Sequence, residues 1–192
     1  MIFLASRSPR RSELLRQLGV DFDVIDVDVP EQRLPDEPPF DYVSRVAREK
    51  AGAGLLQVVT VRDAIVLGAD TEVVLDDDVF GKPVDATDAA RMLRLLSGRA
   101  HRVVSVVWAV SAGREEHASC ESTVAFDELS DDRIAAYVAT GEPTGKAGAY
   151  AIQGRAAAFI RRLEGSYSGV MGLPLHETDR LLRLFDAAHV PA

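Results

Sequence analysis

The fold class is decided by residues 101–126, HRVVSVVWAVSAGREEHASCESTVAF. The segment from His101 to Ser111 is rich in β-branched apolar residues, which predicts a long strand. Gly113 then predicts a turn into a second strand that ends near Phe126. Two strands joined by so short a turn pair antiparallel, so we expect no purely parallel, doubly wound sheet.

Strands and helices alternate on both sides of this hairpin, as judged from apolar runs, helical periodicity and stop signals. The other predicted strands are residues 2–5, 22–27, 64–75, 79–80 and 157–163, and the predicted helices are residues 9–18, 39–57, 88–96, 131–140 and 174–188. Elements mixed in this way predict an α/β class with a mixed sheet. The length fits one domain over residues 1–192, or two small lobes.

The charge balance limits the partners that the chain can have. Its 22 basic residues include only three lysines, Lys50, Lys82 and Lys146, and 30 acidic residues give a net charge of -8. This balance argues against a protein that coats nucleic acid and against a polybasic membrane-surface module. Residues 1–16 nevertheless carry four arginines against Glu13 alone, which suits a small anion.

Cysteine content and hydropathy indicate a cytoplasmic protein. The single Cys120 excludes an internal disulfide framework and a zinc site built from cysteines, and it suits a reducing cytosol. The N-terminus has too short an apolar part for a signal peptide. No apolar run approaches the ~20 residues of a transmembrane helix.

The first candidate site is SRSPRR, residues 6–11, between a strand and a helix. Ser8 is a good N-cap and Pro9 suits the first helical position, which places Arg10 and Arg11 in the first turn. Cations there oppose the helix dipole unless an anion binds at that end. The segment is therefore either a phosphate cradle or a solvated helix start with chance arginines.

The second candidate is Asp70, within VLGADTEVV at residues 66–74. An Asp in a buried strand is unfavourable unless it is paired, hydrogen-bonded or bound to a metal. Asp70 is therefore a candidate metal ligand or general base. The alternative is a structural Asp that caps a bulge or turn after Gly68.

Five further residues are nominated more weakly. Lys50 lies at the end of the apolar face of its helix, and Lys82 lies in a tight Gly-Lys-Pro loop, although both lysines could be compositional remnants. Glu31 could be a second carboxylate for a divalent cation, or simply a solvated loop acid. In AGAYAIQGR, residues 147–155, Tyr150 and Gln153 could stack on and hydrogen-bond a base, or the segment could be a turn with a packed tyrosine.

Together these candidates suggest a phosphate-rich small molecule bound with Mg²⁺ or a similar cation. The chain has no GxSxG nucleophile motif, no GxxxxGK[ST] phosphate loop and no GxGxxG dinucleotide motif. Hydrolysis by a metal-activated water is the chemistry that this set favours.

The chain resembles the Maf family of nucleoside triphosphate pyrophosphatases. The resemblance rests on seven ordered motifs: LASRSPRRSELL, REKA, GADT, GKP, LSGRAH, KAGAYAIQG and GSYSGVMGLPL. It implies an α/β fold related to the inosine triphosphatase-like group, with an elongated mixed sheet and a cleft between two lobes. It also implies a divalent cation, Mg²⁺ or Mn²⁺, often a homodimer, and hydrolysis of a nucleoside triphosphate to the monophosphate plus diphosphate.

The resemblance assigns roles residue by residue. Asp70 matches the proton acceptor, and the remaining matches are Ser8, Arg10 and Arg11 for the phosphate-binding loop, Glu31, Lys50 and Lys82 for active-site acid and lysine positions, and Arg10, Thr71 and Gln153 for specificity. These specificity residues resemble the subgroup acting on dTTP and UTP. We expect the cation to contact Asp70 and Glu31.

Three departures and two alternatives accompany this interpretation. Glu72 follows GADT where an apolar residue is common, Gly145 replaces an expected acid, and Ala151 replaces a glycine and could tighten the base pocket. One alternative is a nucleotide-binding regulator of cell division that does not turn over its ligand. The other keeps the enzyme but changes the substrate to a modified or noncanonical nucleotide.

Overall fold

A seven-stranded mixed sheet organises the computed structural model, which describes residues 1–185. The strands are β1 (Ile2–Ala5), β2 (Phe22–Ile25), β3 (Ile65–Leu75), β4 (Asp78–Phe80), β5 (Ala100–Val110), β6 (Glu115–Phe126) and β7 (Ile160–Glu164). Their order is β2-β1-β3-β5-β6-β7, and β4 pairs with β3 outside this path. β1 is parallel to β2 and β3, and the other pairs are antiparallel. The predicted α/β class with a mixed sheet is confirmed.

The long hairpin is confirmed as the centre of this sheet. β5 and β6 pair without interruption from Ala100 opposite Ala125 to Val110 opposite Glu115. On its other edge β5 pairs with β3 over nine positions, among them Asp70 opposite Val106. The hairpin therefore supplies the rigid neighbour against which β3 is held.

Six helices flank the sheet in the part of the chain that the structure describes. They are α1 (Pro9–Gln17), α2 (Pro39–Gln57), α3 (Ala86–Leu96), α4 (Asp131–Val138), α5 (Tyr167–Met171) and α6 (Leu175–Leu184). The Ser8 and Ser130 hydroxyls cap α1 and α4 as predicted, and Asp85 caps α3. None of these helices is long and apolar enough to cross a membrane.

Two element predictions near the C-terminus were partly wrong. Residues Arg155–Phe159 form a 3-10 turn rather than the start of a strand, because the Glu142 carboxylate accepts the first N–H groups of that turn. The five-residue α5 was not predicted, since it is too short to show helical periodicity. The last predicted helix is present as α6, and residues 186–188 of that prediction lie outside the described residues.

Helix α2 approaches β3 closely at Gly68. A Cβ atom on Gly68 would lie 2.3 Å from the Ala47 carbonyl oxygen and 2.4 Å from the Ala51 nitrogen. Gly68 pairs in register with Trp108, so β3 has no bulge at this point. The alternative that Asp70 caps a bulge after Gly68 is therefore excluded, and the glycine serves helix packing instead.

On the opposite face of the sheet, the main core encloses one histidine. His101 is 2% exposed, its Nε2 lies 2.9 Å from the Tyr150 hydroxyl, and its ring meets Phe126 edge to face. Its Nδ1 has no hydrogen-bond partner among the described residues. Burial lowers the pKa of His101 to about 4.

This histidine should make stability depend on pH. Because the pKa is lower in the folded than in the unfolded state, the unfolded chain takes up a proton first as the pH falls from about 6.5. The free energy of unfolding should therefore decrease between about pH 6.5 and pH 4, by up to about 3 kcal/mol from this group. His101→Gln should flatten that decrease in urea titrations, whereas His176→Gln, at an exposed position, should not.

Candidate active site

One cleft of about 640 Å³ collects the residues that the sequence analysis nominated. It runs from the start of α1 across the middle of β3 to the turn before Ala147. All nine predicted site residues line it: Ser8, Arg10, Arg11, Glu31, Lys50, Asp70, Thr71, Lys82 and Gln153. The sequence therefore predicted which residues meet, and their chemical roles stay predictions.

The start of α1 presents one anchored and one free arginine. The Ser8 hydroxyl accepts a hydrogen bond from the Arg11 nitrogen, and the Arg11 Nε donates to the Gly172 carbonyl oxygen at 2.8 Å. Arg10 makes no hydrogen bond or ion pair with the residues that the structure describes. Burial, and then the charge of Arg11, lowers the pKa of Arg10. This end of the helix is thus electropositive and has a cation available for an anion.

Lys50 lies at the centre of a charged network. Its side chain is 8% exposed, and its Nζ donates to Asp70 Oδ1 at 2.7 Å and lies 2.6 Å from Glu31 Oε1. Lys82 pairs with the other oxygen of Glu31. Burial alone would raise the pKa of Glu31, but the charges and hydrogen bonds of Lys50 and Lys82 prevail and lower it to about 2. Glu31 therefore lies in the cleft as the partner of two lysines, with 30% of its side chain exposed, and its chemical role stays a prediction.

Two buried carboxylates on β3 carry unpartnered oxygens. Asp70 is 4% exposed and Glu72 is 5% exposed, and Asp70 Oδ2 and Glu72 Oε2 have no hydrogen-bond partner within the described chain. Burial, and then the negative charges of Asp70 and Glu31, raises the pKa of Glu72 well above its ordinary value. The sequence analysis noted Glu72 only as a departure from a family pattern. Strand alternation could have predicted that Glu72 lies on the same face of β3 as Asp70, because side chains two residues apart on a strand share a face.

Thr71 also lines the cleft, between Asp70 and Glu72 on β3. Its hydroxyl lies 2.8 Å from that of Ser105, which donates in turn to the Gly169 carbonyl oxygen at 2.7 Å. This chain of hydrogen bonds ties β3 and β5 to α5. Thr71 is therefore held in one place at the cleft wall.

The Gln153 segment is fixed from behind by an acid–phenol pair. The Glu142 carboxylate accepts hydrogen bonds from the Arg155 nitrogen at 3.0 Å and from the Tyr137 hydroxyl at 2.8 Å. A Cβ atom on Gly154 would lie 2.3 Å from Glu142 Oε1, so a side chain at position 154 would displace this carboxylate. Gln153 itself stays exposed at the cleft, on a backbone that cannot easily shift.

The carboxylates suit a hard cation in chemical type. Within residues 1–185 no group of three or more His, Cys, Asp or Glu side chains is arranged as a metal site. Glu31 is held by two lysines, and Asp70 shares one of them. The unpartnered Asp70 Oδ2 is nevertheless the kind of oxygen donor that Mg²⁺ and Mn²⁺ prefer. The residues present therefore fit the predicted divalent cation.

A cleft that is lined by cations and buried carboxylates beside a mixed sheet has the chemistry of a site for a phosphorylated small molecule. The chain belongs to the Maf-like protein family, whose family model matches residues 1–185. A protein of Xanthomonas axonopodis pv. citri named dTTP/UTP pyrophosphatase is 62% identical over 189 residues, 97% of this chain and 100% of that protein. A Xylella fastidiosa protein named nucleoside triphosphate pyrophosphatase is 56% identical over 190 residues, 97% and 99% of the two chains.

Among solved structures, the Staphylococcus aureus Ham1 protein matches with a TM-score of 0.42 and 16% identity. The match covers 68% of this chain and 72% of that one. A dITP/XTP pyrophosphatase from Mycobacterium abscessus matches with the same TM-score and 21% identity, covering 65% and 72%.

Proposed function

We propose that this chain hydrolyses nucleoside triphosphates, dTTP and UTP in preference to others, to the nucleoside monophosphate and diphosphate. The observation that carries the proposal is the meeting of all nine predicted residues in one cleft, with a free arginine and a free carboxylate oxygen among them. The full-length similarity to relatives named dTTP/UTP pyrophosphatase supports the same reaction.

Asp70 acts on the attacking water. Lys50 occupies Oδ1 and fixes the carboxylate, which leaves the buried Oδ2 free to accept the water's proton. A carboxylate held in one orientation needs no reorganisation when the reaction begins. Proton acceptance at Asp70 Oδ2 is the step that this geometry supports.

Arg10 and the α1 N-terminus receive the phosphates. Backbone N–H groups and a guanidinium at a helix start both stabilise an anion there. Lys82, more than half exposed at the cleft, is free to move from Glu31 to a phosphate oxygen. Both cations would neutralise charge that develops in phosphoryl transfer.

A divalent cation would be held by the carboxylates of Asp70 and Glu31. Because each carboxylate oxygen has two lone pairs, Asp70 Oδ2 would serve the cation with one and the attacking water with the other. When bound, Mg²⁺ or Mn²⁺ would supply neutralisation of the triphosphate and polarisation of its phosphoryl group. Glu31 could then exchange a lysine for the cation, since both lysine contacts are ionic and lie at the cleft.

Base recognition falls to Thr71 and Gln153, with Arg10 near the sugar or phosphate. The Gln153 amide offers both a donor and an acceptor, which matches the edge of a pyrimidine. The contacts of Glu142 with Tyr137 and with the Arg155 nitrogen fix the backbone beside Gln153, which favours discrimination because the amide is presented from one position. Ala151, where the family has glycine, narrows the cleft beside Gln153.

We further propose that the enzyme is a cytoplasmic homodimer of single-domain subunits. A single free Cys120 suits a reducing compartment. Sedimentation equilibrium would test the dimer.

The decisive experiment measures diphosphate release from a panel of canonical and modified triphosphates with Mg²⁺ or Mn²⁺. We expect kcat/KM for dTTP and UTP to exceed that for purine triphosphates by about tenfold or more, and a chelator to remove activity. Fastest turnover of purines would overturn the pyrimidine preference. Tight binding with no diphosphate under either metal would instead indicate a regulator, and fastest turnover of a modified base would reassign the substrate.

A further inference from the structure

Lys146 is the third lysine of the chain, and it lies in the same cleft as Arg10. Its Nζ donates to the Thr144 carbonyl oxygen at 3.1 Å, and within residues 1–185 it forms no ion pair. We propose that Lys146 is a substrate-binding residue that holds the phosphate chain together with Arg10. The proposal rests on the proposed function and adds a second cation to the phosphate site.

The backbone around Lys146 adopts an unusual conformation. Gly145, Gly148 and Ala149 have φ angles of 69°, 66° and 60°, in the left-handed region. Ala149 is a buried non-glycine residue there, which is an unfavourable conformation that the surrounding structure must impose. Strain of this kind concentrates at ligand-binding segments.

The turn is also fixed to the rest of the site. The Gly148 nitrogen donates to the Gly81 carbonyl oxygen at 3.2 Å, directly beside Lys82. A Cβ atom on Gly148 would lie 2.7 Å from Val73 Cγ2, so the turn presses onto β3 next to the carboxylate cluster. Lys146 is thus held at a set place relative to β3 and to Lys82.

The charges around Lys146 and Arg10 favour the binding of an anion. Burial, and then the charge of Arg10, lowers the pKa of Lys146, and the nearby Glu142 offsets this only in part. The Glu142 carboxylate is engaged by backbone N–H groups and by Tyr137. Two half-buried cations that line the same cleft repel each other, and a polyanion bound to both would offset that repulsion. A purely structural lysine would gain from an ion pair instead.

The ligand that this pair fits is a chain of phosphates and not a base. Inorganic tripolyphosphate carries the recognised groups without sugar or base, so its affinity isolates the phosphate site. A nucleoside monophosphate such as dTMP has a single phosphate and should depend on Lys146 much less.

The test compares Lys146→Met with the wild-type enzyme by calorimetry and steady-state kinetics. Lys146→Met should weaken tripolyphosphate binding and raise the KM for dTTP about tenfold or more, with kcat and dTMP affinity changed less than about threefold. Arg161→Met removes the same charge at an exposed position on β7. This control should change neither the tripolyphosphate affinity nor the KM for dTTP. Lys146→Arg should restore part of the tripolyphosphate affinity, and a melting temperature verifies folding of each variant.

Unchanged tripolyphosphate affinity in Lys146→Met would overturn the proposal, as would failure of the wild-type protein to bind tripolyphosphate. A loss confined to kcat would overturn it as well. Failure of the proposed function is distinguishable: tripolyphosphate would then still bind through Lys146, although no triphosphate in the panel releases diphosphate.

Discussion

Asp70→Asn should lower the rate of diphosphate release from dTTP by about 10²- to 10⁴-fold, the range that a positioned general base contributes. Asparagine matches the size of Asp70 and its oxygen can still accept the Lys50 hydrogen bond. Its amide cannot take a proton from water at the position of the buried Oδ2. The loss should therefore appear in kcat, with the fold intact.

Single-turnover kinetics with saturating dTTP would measure this loss separately from binding. Asp76→Asn is a suitable control, because Asp76 directly follows β3 and pairs at the surface with Arg99. It should keep nearly full activity. Full activity in Asp70→Asn would show that another group takes the proton.

Lys50→Met should lower the free energy of unfolding by about 3–5 kcal/mol at neutral pH, the usual result of removing one partner from a buried ion pair. The substitution would leave Asp70, and part of Glu31, without the ammonium that offsets their burial. The folded state depresses the pKa of Glu31 to about 2, so this contribution is complete above about pH 4.5 and is lost as the pH falls toward 2. The difference between variant and wild type should shrink accordingly in acid.

Lys82→Met is the matched control, since Lys82 contacts the same Glu31 carboxylate. The Lys82 side chain is 56% exposed against 8% for Lys50, so its removal should change stability by about 1 kcal/mol or less. Urea titrations of both variants at about pH 7 and about pH 3 measure the two effects. Equal losses in both variants would show that burial does not govern the strength of these ion pairs.

The sequence was sufficient to predict the sheet class, because the hairpin over residues 101–126 carries its own strand and turn signals. It also predicted the nine cleft residues: residue patterns nominated all of them except Thr71, which came from the family motifs, and those motifs then assigned the roles. Asp70 was the clearest candidate, since a carboxylate in an apolar run is unfavourable without a partner.

What the sequence did not reveal depends on tertiary packing. The burial of Glu72 results from α2 and β5 closing around β3, and neither contact is visible in the local sequence. Lys146 and Arg10 line the same cleft although they are far apart in the chain. The 3-10 turn at Arg155–Phe159 follows from a carboxylate contact at Glu142, which outweighs the apolar run that suggested a strand.

Gly68 has a consequence for the reaction centre that reaches beyond packing. Lys50 belongs to α2 and Asp70 to β3, so their 2.7 Å contact crosses the interface between this helix and this strand. The two elements can lie this close because Gly68 has no side chain. A single methyl group at position 68 would push α2 away from β3 and so move the Lys50 ammonium away from the Asp70 carboxylate. The position of Lys50 relative to Asp70 thus depends on the absence of a side chain at Gly68. This residue contacts neither water nor nucleotide in the proposed reaction.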